Sequence, residues 1–205
     1  MPNVLKKLNL MNEKEFIKYV KQECKKHNIK YVFKNTQSIK LSDSSRCSGY
    51  FDGSTLAVAM KRPDSIQTLV HEYSHLTQWA EKLPLWEKCE DEDSHNKVEE
   101  WLVGENVHNI EKYMGLCRDL ELDNEKRSVK LIKQFNLKIN IDEYIKRANA
   151  YVQFYNYMLY SRKWCKPSNS PYRNKRLLNA MPNKFSMDYK RLSKKVLRIF
   201  EEEGI

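Results

Sequence analysis

The chain of 205 residues has no long apolar run. Nothing in it approaches the roughly 18 consecutive apolar residues that a membrane-spanning helix needs. Charged residues make up 31% and the mean hydropathy is −0.78, so a soluble protein is expected. Met1 to Leu10 carries lysines but no apolar stretch of the kind a secretory signal requires, which points to the cytoplasm. Cysteine is sparse and badly spaced for chemistry. Cys24, Cys47, Cys89, Cys117 and Cys165 are odd in number and never at C-x-x-C spacing. That argues against a disulfide framework or a cysteine zinc site and for a reducing compartment, each thiol reading as a small buried apolar group. There is no internal repeat and no low-complexity segment. The length suffices for one domain with a real core, or a core plus an appendage.

Histidine is also scarce, five in all, yet two of the five fall in His71-Glu72-Tyr73-Ser74-His75. On a helix, residues four apart share a face one turn apart. Two imidazoles so spaced can point at one metal ion while Glu72 reaches the open side of that ion. Zinc chemistry asks for this arrangement: nitrogen ligands at about 2.0–2.1 Å, one position left for water, and a carboxylate to take the water's proton. The flanking residues predict the helix. Pro63 cannot continue one from upstream, Asp64 is placed to cap, and Gln67 three residues on makes a capping-box-like pair. Ile66, Leu69, Val70, Tyr73, Thr77 and Ala80 form an apolar stripe, and Pro84 closes the segment. The alternative reading is two surface histidines with a chance acid between them.

The five-residue stretch resembles the active-site helix of zincin metallopeptidases. The resemblance implies zinc on His71 and His75 and a general-base role for Glu72. It extends over residues 12 to about 135, although only the motif itself is specific. The extended metzincin pattern is absent, because Gln78 stands where a glycine would be needed and Glu81 where a third histidine would be. The third ligand must come from elsewhere. In gluzincins it is a glutamate on a second helix, followed by an acid that supports a ligand histidine. Glu121-Leu122-Asp123-Asn124-Glu125 fits that pattern with Glu121 as ligand and Glu125 in support, though Asn124 is not small and Glu125 replaces Asp. A rival alignment on Asn124-Glu125-Lys126-Arg127-Ser128 puts Glu125 on the metal, but Val129 then occupies the place of the acid. The bland alternative makes both glutamates solvated partners of Arg127 and Lys130. In Spartan-type and SprT-like DNA-associated proteases the third ligand is a later histidine, which here leaves His95 or His108. Compact size and the lack of a leader also suit intracellular or phage-encoded peptidases of the ImmA-like kind. A non-enzymatic zincin-like binding protein is the competing class.

The remaining patterns predict an α+β fold: a zincin-like small mixed sheet packed on the metal helix, with a mainly helical C-terminal extension. Residues 1–140 would form the peptidase domain and 141–205 the extension. Asn12 to His27 reads as a helix capped by Asn12 with Glu15. Strands are expected at Ile29–Phe33, Ser38–Leu41, Gly49–Phe51 and Thr55–Met60, the last forming a cleft edge to which an extended peptide substrate could add. Leu83 to Asn96 reads as an irregular acidic insertion anchored by Trp86. Helices are expected over Lys97–Leu116, from Asp119 through Phe135, over Asp142–Trp164, over Arg173–Ala180, and over Asp188–Glu203. From Arg162 onward there are 12 Lys/Arg against 4 Asp/Glu, within a chain of net charge +10. That surplus reads either as solvated helix faces or as a surface for nucleic acid or another acidic partner.

Overall fold

The computed structural model describes residues 12–42 and 44–205, so the expectation for Met1 to Leu10 lies outside the described residues. The fold is mixed α+β, with eight α-helices and five short strands among the described residues. None of these helices is long and apolar enough to cross a membrane. The chain divides into two compact units. One takes residues 12–83 and Arg127–Ile139, and the other Pro84–Lys126 and Asn140–Ile205. The first unit is thus interrupted in sequence by residues 84–126, which cluster with the C-terminal helices.

The first unit opens with α1 (Glu13–Lys26). Its capping box is complete: the Asn12 side-chain oxygen accepts from Lys14 N–H (3.0 Å) and Glu15 N–H (3.2 Å), and Glu15 accepts from Asn12 N–H (2.8 Å). Phe16, Val20 and Cys24 form its buried face. The strands are β1 (Lys30–Lys34), β2 (Ile39–Lys40), β3 (Arg46–Cys47), β4 (Gly49–Phe51) and β5 (Thr55–Ala59). β1 pairs parallel and β4 antiparallel with β5, in the order β1-β5-β4, while β2 and β3 make a separate antiparallel pair. The expected edge strand at Thr55–Met60 is therefore the centre of the sheet, and β4 is an edge. The physical reason is visible in the residues: Leu56 to Ala59 are buried without alternation, as a strand covered on both faces requires.

Next comes α2 (Ser65–Ala80), which packs on β4 and β5. Asp64 precedes it but makes no side-chain cap, contrary to expectation. Its carboxylate is held instead by the Arg62 guanidinium, at 2.7 and 2.8 Å. The charge-assisted fork outcompetes the neutral amide donors of the first turn. The unit is completed by the last part of α5 (Ile110–Gln134) and the residues after it, where Phe135 packs on Phe16 and Tyr19 with ring centroids 5.1 and 4.8 Å apart.

The second unit is helical. The irregular insertion expected at Leu83 to Asn96 is instead largely helical, taken up by α3 (Pro84–Asp91) and the start of α4 (Ser94–Leu102). Pro84 both ends the reach of α2 and starts α3, since its fixed φ and missing N–H suit a first helical position. Asp93, with φ 52°, turns the chain between the two helices. The helix expected over Lys97–Leu116 breaks at Gly104, φ 111°. α5 then runs unbroken for 25 residues, so Asp119 lies inside it rather than starting it. α6 (Ile141–Ser161), α7 (Lys175–Ala180) and α8 (Lys194–Glu203) follow. The last starts six residues later than expected, because Ser193 supplies the cap by accepting from Val196 N–H at 3.3 Å. Phe154, Met158, Leu177 and Phe200 are central in this unit's core, and the Tyr157 and Phe200 rings stack at 4.6 Å.

Candidate metal centre

Leu69, Val70, Tyr73 and Leu76 turn into the core and set the rotation of α2. That rotation leaves His71 and His75 half-buried side by side, ring centroids 4.9 Å apart, as an i,i+4 pair must be. Glu72, one residue on from His71, is 8% exposed. It lies against β4. A Cβ at Gly49 would come within 2.8 Å of the Ala57 carbonyl oxygen and of Thr68 Cγ2, and within 3.1 Å of Glu72 Cγ. Only glycine lets the strand approach the helix at this level. The half-buried Cys47 thiol feels the same carboxylate, since burial and then the Glu72 charge push its pKa up.

Gln78 was missed by the sequence reading except as a departure from the metzincin pattern. Its Oε1 lies 2.9 Å from His75 Nδ1. A carboxamide oxygen only accepts, so this contact suits the tautomer with the proton on Nδ1, in which Nε2 is the nitrogen able to face a cation. The signal was available: Gln78 is three residues after His75, on the same helix face. The other unforeseen residue, Gly49, carries no sequence signal of its own, because its necessity arises from a strand and a helix meeting.

α2 is tied to α5 by two buried hydroxyls. Ser74 Oγ donates to Val70 O at 2.8 Å and lies 2.9 Å from Ser128 Oγ. One turn further along, Arg127 reaches Thr77 (3.4 Å) and Glu81 (2.6 Å). Glu121 is on the same unbroken helix, seven residues before Ser128. One ligand atom each from His71, His75 and Glu121 lie within 4.8 Å of one another. A tetrahedral set with bonds of about 2.0–2.1 Å has its donors about 3.4 Å apart, and these three residues are a group that could hold a metal ion. The donor set, two imidazoles and one carboxylate, is one that leaves a zinc position open.

Glu121 and Glu125 are both buried, at 7% and 5% exposure, so neither is the solvated surface acid of the bland reading. A carboxylate is costly to bury unless cationic or hydrogen-bonding partners compensate it. Within the second unit the Glu121 charge is felt by Tyr151 and Tyr155, whose hydroxyls are 3.4 Å apart. Burial pushes both phenols well above the usual tyrosine range; Glu121 adds to this at Tyr151, and Tyr151 and then Glu121 do so at Tyr155. His95 and His108 are exposed, His95 in the first turn of α4, and neither joins a candidate metal group among the described residues. Comparison of the chain with protein-family models, with curated proteins and with solved structures finds no match.

Proposed function

We propose that the protein is a zinc-dependent metallopeptidase of gluzincin-like type, with His71, His75 and Glu121 as the metal ligands and Glu72 as the general base. The observation that carries this reading is the convergence of those three donors beside a buried acid. Zinc, when bound, supplies a Lewis acid that polarises a peptide carbonyl and lowers the pKa of water towards about 7. The protein's own groups do the rest. Gln78 holds the His75 ring in the tautomer that presents Nε2. Glu72 takes the proton from the attacking water and returns it to the leaving amine, general acid–base work worth about 10²–10⁴-fold. β4 is the sheet edge beside Glu72, so an extended peptide adding to that edge would bring a backbone carbonyl to the acid. The zincin-like packing of sheet and α2 belongs to the same proposal.

The test is metal content and hydrolysis of an unfolded protein substrate by wild type and Glu72→Gln. The wild type should carry about one zinc per chain and cleave. Glu72→Gln should keep the metal and lose about 10²–10⁴-fold in rate. Equal cleavage by the two forms removes Glu72 from the mechanism. A wild type that takes up no divalent metal defeats the whole reading, and a loaded but inert one marks a binding protein.

A further inference from the structure

The second unit carries a groove far from any histidine chemistry in sequence. It lies between α7 and α8, has a volume of about 570 Å³, and is lined by Arg176, Asn179, Ala180, Lys194, Lys195, Arg198 and Ile199. Four of the seven are cations and none is an acid. Arg176 pairs with Glu203 (3.1 Å) and with Glu202, and Arg198 with Glu202 (2.7 Å). These pairs hold the two guanidiniums in place, and both carboxyls are pulled below the usual range, Glu202 by Arg198 and Arg176, Glu203 by the Asn174 amide and then Arg176. Lys194 and Lys195 are exposed and make no ion pair with any described residue. They sit in the first turn of α8, where the helix already presents positive partial charge, a placement that is unfavourable for lysine. An anion in the groove would relieve that cost.

We propose that this groove binds the phosphate backbone of nucleic acid. The cations extend from Lys194 to Arg198, about 6 Å along one helix at 1.5 Å per residue, with Arg176 on the other wall. That is a track for a run of phosphates rather than a cage for one. The surrounding stretch has the same sign, with 12 basic and 4 acidic residues from Arg162 onward. A membrane surface is the less suitable partner. Val196, Ile199 and Phe200, the apolar face of α8, are buried in the core, and the half-buried Leu197 is too little apolar surface to anchor that helix in a bilayer. This inference is independent of the metal centre, and binding is expected to survive chelation.

The experiment is fluorescence anisotropy of labelled 20-mer DNA, single-stranded and duplex, titrated with the full chain at several salt concentrations in EDTA. Binding should weaken linearly in log salt. Lys194→Glu/Lys195→Glu should lower affinity at least about tenfold and reduce the slope by about two, near 0.9 for each lost phosphate contact. Acids are favoured in a first helical turn, so this variant should fold, and circular dichroism checks that it does. The control is Lys14→Glu/Lys18→Glu, which places the same charge change on the exposed face of α1 and should leave the slope unchanged. Equal losses in the two variants would overturn the proposal in favour of diffuse net charge. So would a wild type that binds neither DNA, or one that binds phosphatidylserine vesicles and not DNA.

Discussion

α5 and α6 are the two longest helices, and both bury polar side chains, but of different kinds. α6 buries amides. Asn149 Nδ2 donates to the carbonyls of Pro182 (2.8 Å) and Lys184 (3.1 Å), and its oxygen accepts from Tyr189 Oη (2.6 Å). Gln153 donates to Asp188 O (2.9 Å) and Asn156 to Tyr189 O (2.9 Å). One row of amides thus holds the irregular stretch 182–189 against the helix, satisfying backbone groups that have no helix or strand to serve them. α5 buries carboxylates, Glu121 and Glu125, with Asn124 and Ser128 between and beyond them. An amide is neutral and can be completed by backbone partners; a carboxylate carries a charge whose burial demands compensation. The first is an architectural tie; the second includes Glu121, a member of the candidate metal group.

Glu121→Gln should give the largest effect in that comparison. Metal affinity should fall by more than the about 10–100-fold typical of losing a residue that merely orients a ligand, while Gln78→Leu should fall within that range; competition with a chromogenic chelator measures both. With metal removed, the size of the stability effect should separate the two helices. Asn149→Ala strands the carbonyls of residues 182 and 184 and should cost about 1–3 kcal/mol for each group left unsatisfied. Glu121→Gln/Glu125→Gln keeps the shape and an accepting oxygen at each position and should cost less, read from urea denaturation in EDTA. A loss equal to that of Asn149→Ala would mean that the carboxylates are structural too. Gly49→Ala should cost about 1–3 kcal/mol by overpacking, because the new Cβ meets the Ala57 carbonyl oxygen, which is backbone, as well as the Thr68 and Glu72 side chains. The smallest effect is at Cys47. A disulfide reagent at pH 8 should reach it before Cys24 and Cys89, which are buried with thiols pushed up to about 11 and about 12. The negative charge of Glu72 raises the Cys47 pKa, so Glu72→Gln should lower it, increase the thiolate fraction and speed labelling in the metal-free protein.

Much of the local structure was legible in the residues. The capping box of α1 appears as read, because Asn12 and Glu15 satisfy it within four residues. α2 begins and ends where Pro63 and Pro84 bound it, although its cap failed when Arg62, two residues from Asp64, offered a stronger partner. Less was legible where the outcome depended on distant contacts. Leu83 to Asn96 read as loop because its acids mask a modest apolar face: of the helical residues in α3 and α4, Cys89, Ser94 and Val98 are buried. The edge strand was misplaced because Thr55–Ala59 is apolar for a reason that only pairing reveals, with β1 on one side and β4 on the other.

The sequence by itself determined the local geometry: two imidazoles one turn apart with an acid beside the first, since helix periodicity sets all three directions at once. Only the tertiary structure groups a carboxylate with them, an oxygen of Glu121 lying within 4.8 Å of the ring nitrogens. Glu121 and Glu125 share a face of one helix and differ by a single turn, about 6 Å, which local propensity does not distinguish but which far exceeds the tolerance of a metal–ligand bond. Ser74 and Ser128 fix where α5 meets α2 within the first unit, a register that no local propensity encodes.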